Sequence, residues 1–178
     1  MRAEASPVAL TLDRLATPIG ALLIVSDQDG CLRAAEFHDF EDRLHRSLQL
    51  KRATVGAYTL REGRAAKDVR GQLQAYFAGE LAAIDDINVT TGGTEFQQKV
   101  WRALRKIKPG RTMTYGALAQ RLGTENAMRA VGAANGANPV SVVVPCHRLI
   151  GANGSLIRYG GGLERKRWLL QHEGAAVA

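Results

Sequence analysis

The sequence predicts an α+β protein: a small N-terminal α/β domain with an antiparallel sheet, then a mostly helical C-terminal domain that carries a helix-turn-helix. Three observations predict it. Short apolar runs separated by a turn signal fill the first forty residues. From residue 94 onward the apolar positions recur at helical spacing. The charge also changes sign along the chain: residues 1–90 hold 11 Lys/Arg and 13 Asp/Glu, a net of −2, whereas 91–178 hold 13 and 4, a net of +9. A length of 178 residues suits one large domain or two small ones. With 46% apolar and 23% charged residues, disorder, a collagen-like repeat and a disulfide scaffold are excluded.

Val8-Ala9-Leu10-Thr11-Leu12 is a short strand candidate, and the runs Ile19 to Val25 and Cys31 to Phe37 are two more. Between the latter two lies Asp27-Gln28-Asp29-Gly30, and Asp-Gly is a strong hairpin signal. Asp39 to about Leu50 reads as a polar helix, and 51–63, rich in charge and Gly, as a loop. A helix follows over roughly Ala65–Ala78, with Val69, Leu73, Tyr76 and Phe77 on one face and Gly79 as its stop. Ala82–Gly93 reads as an interdomain connection, which places the boundary near residue 91.

The second half opens on Thr94-Glu95-Phe96-Gln97, a capping box. Phe96, Val100, Leu104 and Ile107 form one stripe, and Pro109-Gly110 ends that helix. A shorter helix spans about Tyr115 to Leu122. After Gly123 another runs from Asn126 or Ala127 to about Asn135, and two short helices around such a turn make the helix-turn-helix pattern. The second of them is rich in Ala127, Ala130, Gly132, Ala133 and Ala134, with Arg129 its one long basic side chain. Such a helix lacks the side chains that read a major groove. It suits either a narrow minor groove with Arg129 inserted or tight packing in a core.

No apolar run approaches the ~18 residues of a membrane span, and the first residues lack the apolar core of a signal peptide. Two cysteines, Cys31 and Cys146, fit a reducing compartment. A cytoplasmic protein without a membrane partner is expected. The basic half suits a polyanion, nucleic acid above all, or a merely solvated face.

Val142-Val143-Val144 reads as a short buried strand that feeds Pro145-Cys146-His147-Arg148. Pro145 stiffens the exit from it. A thiol must lose its proton to become a strong nucleophile. Adjacent side chains on extended chain diverge, so Cys146 and His147 need a turn or a bridging water to act together. Glu173, just past a helix over about Leu163–His172, is a remote candidate to orient the imidazole. The alternative is a buried cysteine beside an incidental histidine. Zinc is disfavoured because no C-x-x-C or H-x-x-x-H pair occurs, and neither a metal nor a cofactor is expected. Cys31 reads as core; His38, His45 and His172 carry no signal.

Pro145-Cys146-His147-Arg148-Leu149-Ile150-Gly151 resembles the active-site signature of the O6-alkylguanine-DNA alkyltransferases. Arg129-Ala130-Val131-Gly132-Ala133-Ala134-Asn135, Asn138-Pro139, Gly93-Thr94, Phe96-Gln97, Val100-Trp101, Tyr115-Gly116, Tyr159-Gly160-Gly161-Gly162-Leu163 and Lys166 extend the likeness. It runs unbroken from about 93 to 174 and more weakly through Thr17-Pro18-Ile19-Gly20 and Tyr76-Phe77, and is similar above all to the bacterial single-function type.

The resemblance implies a ribonuclease-H-like N-terminal domain over 1–90 and a DNA-binding, alkyl-accepting domain over 91–178. Cys146 would accept the alkyl group of O6-alkylguanine, with O4-alkylthymine as a second substrate, in a single irreversible step. His147 would act through a water as its base, with Glu173 orienting it. Asn138 would brace the turn that carries Cys146. Tyr115 would help rotate the nucleotide out and protonate the leaving guanine. Arg129 would replace the extruded base, with Ala127, Ala130 and Gly132 along the minor groove. The carbonyls of Cys146 and Leu149 would accept from the guanine amine. Tyr159 would wall the pocket, the N–H of Gly160 would face the base oxygen, and Lys166 would belong to the same pocket. Ile157 and Arg158 depart from the small residue or Thr and the Gly usual there; Ile157 would narrow the entrance, and Arg158 would add a cation that rests on Tyr159 or reaches a phosphate. The implied partner is double-stranded DNA containing O6-alkylguanine, bound by a monomer. A damage sensor that binds without reacting, a helix-turn-helix regulator and a multiple-turnover cysteine hydrolase are the competing readings; Cys146, the chain length and the lack of a second nucleophile weigh against them.

Overall fold

The computed structural model describes residues 6–50 and 56–177. Strands β1 (Val8–Leu15), β2 (Leu22–Asp27) and β3 (Leu32–Phe37) pair antiparallel in chain order. The expected hairpin turn forms: Gly30 takes φ +78°, and Asp27 Oδ1 accepts from the N–H groups of Asp29 and Cys31. Every residue of β2 is buried, because the sheet is covered on both faces. Leu22 and Ile24 face the main core, and Leu23 and Val25 a smaller one beneath helix α1 (Glu41–Leu50). That alternation is the two-residue period of a strand.

Three expectations for this half need correction. Part of the stretch read as a loop is a fourth strand, β4 (Tyr58–Glu62), while 51–55 lie outside the described residues. β4 pairs parallel to β1, so the sheet is mixed rather than antiparallel, in the order β3-β2-β1-β4. An edge strand with one face in solvent keeps polar residues such as Thr59 and Arg61, which disguised it. Cys31, expected in the core, is half-buried and precedes β3.

Helix α2 (Lys67–Phe77) lays Val69, Leu73 and Tyr76 on the sheet and stops at Gly79, φ +109°. The connection over 82–93 is packed rather than free. Ile84 and Ile87 are buried, and Leu32 exchanges backbone hydrogen bonds with Asn88 and Thr90 along the edge of β3.

Helix α3 (Glu95–Leu104) opens on the predicted capping box, in which Thr94 Oγ1 accepts from Gln97 N at 3.2 Å and Gln97 Oε1 from Thr94 N at 3.0 Å. Two short helices follow, α4 (Tyr115–Arg121) and α5 (Met128–Gly136), joined through a 3-10 turn at Glu125–Ala127. Val131, Ala134 and Asn135 bury one side of α5, and Trp101 Nε1 donates to Ala134 O at 2.8 Å. Arg129, Ala130 and Ala133 stay exposed on the other side. Helix α6 spans Leu163–His172. A two-stranded parallel pair, β5 (Met113–Thr114) and β6 (Leu149–Ile150), ties the start of α4 to the segment after Cys146. One hydrophobic core runs from Leu15 and Leu22 in the sheet to Leu149 and Leu169 in the C-terminal half, so both halves stand on shared packing. Among the described residues no helix is long and apolar enough to cross a membrane.

Candidate active site

The segment before Cys146 is not the strand its β-branched residues predict. Pro139 O and Ser141 N pair with Ala35 on β3, and the chain then coils, with Val144 N donating back to Val140 O and Val142 at φ +75°. A β-branched residue in that region is strained, by about 1–3 kcal/mol. Asn138 overrides the strand propensity. Its buried side chain accepts from Val140 N at 2.9 Å and donates to Val144 O at 2.8 Å, closing the coil. The same amide donates to Cys146 Sγ at 3.1 Å.

Cys146, His147 and Arg148 form one buried 3-10 turn after Pro145. The turn sends neighbouring side chains apart. Cys146 lines a cavity of about 450 Å³, whereas His147 Nε2 meets Glu173 Oε1 at 2.8 Å. Sγ makes no hydrogen bond to His147. His147 Nδ1 is buried without a partner among the described residues, and so are Asn135 Oδ1 and Tyr159 Oη.

Glu173, buried at the C-terminal end of α6, gathers four donors. Oε1 accepts from His147 Nε2, from Arg148 Nη2 at 2.8 Å and from Tyr76 Oη at 2.7 Å, and Oε2 from Arg148 Nε at 2.9 Å. Burial alone would raise its pKa; His147 and Arg148 outweigh that and hold the carboxyl well below the usual range. Burial lowers the pKa of His147 despite Glu173, so the imidazole rests neutral. Burial likewise pushes the Cys146 thiol up, against the Asn138 hydrogen bond. At rest the thiol therefore keeps its proton.

Tyr115, Gly132, Asn138, Arg158, Tyr159 and Gly160 line the Cys146 cavity, as do Asn135 and Arg43. Burial raises the pKa of both tyrosines, so both carry their protons. Tyr115 Oη lies 3.5 Å from Asn135 Nδ2. Leu149, Lys166 and Ile157 stand behind the wall. Lys166 Nζ donates to Leu149 O and, at 2.7 Å, to Ile157 O, clamping the loop that ends in Arg158 (φ +44°). Burial lowers the pKa of Lys166 to about 8. Ile157, 39% exposed, is not among the residues that line the cavity, whereas Arg158 is. Ala127 is half-buried, and Ala130 is exposed beside Arg129.

Three contributors escaped the sequence reading. Arg43, on α1, pairs with buried Glu36 and lies so close to Gly160 that any Cβ there would strike its guanidinium. Asn135 and Tyr76 read as helix interior. A second groove of about 510 Å³, which shares Arg43 and Asn138 with the cavity, is lined by Leu44, Leu50 and Trp101 and, among the described residues, by no cysteine or histidine. Among the described residues no group of three or more His, Cys, Asp or Glu could hold a metal ion.

Residues 95–175 match the profile of the 6-O-methylguanine DNA methyltransferase DNA-binding domain. A methylated-DNA–protein-cysteine methyltransferase of Salmonella typhimurium is 49% identical over 162 residues, covering 91% of this chain and 94% of its own. One from Methanosarcina acetivorans is 41% identical, with 89% and 95% covered. Among solved structures, the Mycobacterium tuberculosis OGT in complex with DNA superposes with a TM-score of 0.75 at 40% identity, covering 92% of each chain. The O6-methylguanine-DNA methyltransferase of Pyrococcus kodakaraensis does so with 0.74 at 27%, covering 93% and 99%. With a thiol on the cavity wall, a buried imidazole–carboxylate pair beside it in the same turn, and identity of this order along nearly the whole chain, the protein belongs to the methylated-DNA–protein-cysteine methyltransferase family.

Proposed function

We propose that this protein repairs O6-alkylguanine in double-stranded DNA by moving the alkyl group to Cys146, once and irreversibly. The observation that carries the reading is the buried Cys146 thiol on the wall of a cavity, pinned by Asn138, next to a His147–Glu173 pair whose Nδ1 is unpaired. Glu173 fixes the tautomer with the proton on Nε2. Nδ1 is then the free base, and it takes the thiol proton through a water. The thiolate attacks the alkyl carbon, an S–C bond forms, and the C–O6 bond breaks. The guanine oxyanion takes a proton from Tyr115, which burial keeps protonated, and the proton on His147 replaces it. The products are a thioether and guanine. Water does not hydrolyse a thioether readily, and among the described residues no second thiol lines the cavity, so the protein acts once.

The target atom lies inside the duplex, so the nucleotide must leave the stack. Arg129, exposed on a face of small residues, fills the gap from the minor groove, while Ala127, Ala130 and Gly132 let the helix approach. The net charge of +9 over 91–178 supplies general affinity for phosphates. Intact mass spectrometry after mixing with excess duplex containing O6-methylguanine tests the reading. One methyl group appears, on Cys146, and the reaction stops. Repeated turnover, or labelling of Cys31, overturns it.

A further inference from the structure

Glu173 holds the ring of His147, and something must hold Glu173. Helix α6 ends at His172, so the carboxylate extends from a helix terminus. Arg148 binds both oxygens and is itself fixed by donating to Ile107 O. The third support comes from the other half of the protein. Tyr76, wholly buried on α2, reaches 97 residues along the chain to place its hydroxyl on Oε1, the same atom that receives His147 Nε2. Its ring packs edge-on against Phe77 and His172, so the hydroxyl is aimed by packing. A core position on α2 needs only the ring, and phenylalanine would supply that; the hydroxyl's partner is the catalytic carboxylate.

We propose that Tyr76 is a positioning residue for alkyl transfer, acting through Glu173 Oε1 on the orientation and basicity of His147. The inference rests on the reading of Cys146, His147 and Glu173 given above. Tyr76 donates, so it draws negative charge from Oε1. The carboxylate then orients the imidazole without overstabilising its protonated form, and Nδ1 stays available as a base at neutral pH. The charged or titratable groups facing His147 are Glu173, Arg148 and Lys166, with the edge of the Tyr159 ring on a further side. Removing the hydroxyl leaves Oε1 with more charge toward His147. The imidazolium gains, the acid limb of the rate profile moves to higher pH, and the ring loses one constraint.

The experiment is single-turnover methyl transfer from methylated duplex to Cys146, measured against pH, for wild type, Tyr76→Phe, Glu173→Gln and the double variant. Tyr76→Phe is expected to react about tenfold more slowly at neutral pH, the scale of one hydrogen bond to a charged group. Its acid limb should move up by about half a pH unit, its duplex affinity should match wild type, and it should add nothing to Glu173→Gln. Because Tyr76→Phe perturbs a buried site, a ring-fluorinated tyrosine at position 76 provides a second test. It keeps the size and donates more strongly, so it should move the acid limb down. A wild-type rate in Tyr76→Phe, full additivity in the double variant, or a slower rate with an unmoved profile overturns the inference and leaves the reading of Cys146 intact. A wild-type rate in Glu173→Gln overturns both.

Discussion

Replacing Asn138 by alanine removes three hydrogen bonds of different worth. Val140 N is fully buried and has Asn138 Oδ1 as its acceptor. Stranding it costs about 1–3 kcal/mol. Val144 O keeps the N–H of Cys146, so losing Asn138 Nδ2 there costs less, about 0.5–1.5 kcal/mol. Together the coil loses about 2–4 kcal/mol, and Val142 loses the brace that holds it at φ +75°. At 178 residues that lowers Tm by roughly 4–16 °C. The third bond reaches Sγ and strengthens as the sulfur gains charge. A hydrogen bond to a charged group is worth about 1.5–3 kcal/mol, so transfer should slow by roughly 10- to 100-fold. Calorimetry measures the first effect. Single-turnover transfer, well below the variant's Tm, measures the second. A Tm within 2 °C of wild type, or an unchanged rate in folded protein, would refute the assignment of Asn138 as both brace and sulfur donor.

Other outcomes follow from the same geometry. Glu173 titrates lower folded than unfolded, so its pairing stabilises the protein fully above the ordinary carboxylate range. That stability is lost as pH falls below about 4.5 toward the depressed folded value. The stability gap between wild type and Glu173→Gln, followed by denaturant melts, should be widest near neutrality and narrow in acid; a gap independent of pH would count against an ionised Glu173. Arg129→Ala should slow transfer from duplex far more than from free O6-methylguanine base, and equal slowing on both would remove the finger role.

How much could be read in advance depends on whether a residue's function and its packing leave separate marks. The capping box at Thr94 and helix α6 lie where spacing put them, because caps and glycine stops are local signals. Cys146 and His147 stand out through the likeness of the run from Pro145 to Gly151 to a family signature, since an adjacent Cys-His alone also fits a buried cysteine beside an incidental histidine. Val142–Val144 misled because propensity favours a strand, and only the long-range pairing of Ala35 with Pro139 and Ser141, with Asn138 inside the coil, explains the turn. β4 hid behind its solvent face. Tyr76 hid for the opposite reason: its place in the apolar stripe of α2 already accounted for it, and periodicity says nothing of a hydroxyl. Arg43 sat on the polar face of α1, where a charge needs no explanation until Glu36 and Gly160 are found beneath it.

The raised pKa of Cys146 opposes a nucleophile's task only if the thiolate must stand ready. At rest Arg148 and Glu173 form an internal ion pair beside a neutral thiol and a neutral imidazole. In the proposed reaction, proton transfer from Cys146 to His147 creates two opposite charges, and each meets a partner already in place: the Asn138 amide at sulfur and Glu173 at the imidazolium. The cost is charge separation within a network of fixed dipoles, and it arises only as an electrophile consumes the thiolate. Oxidation and stray alkylation also run through the thiolate. Under the proposed single use, a molecule spoiled before it meets a lesion is lost as surely as one that has repaired it. A buried, protonated thiol thus protects the one equivalent the protein carries. The proposed base, His147, is held by Glu173, and Glu173 by residues from both halves, Tyr76 from one and Arg148 from the other.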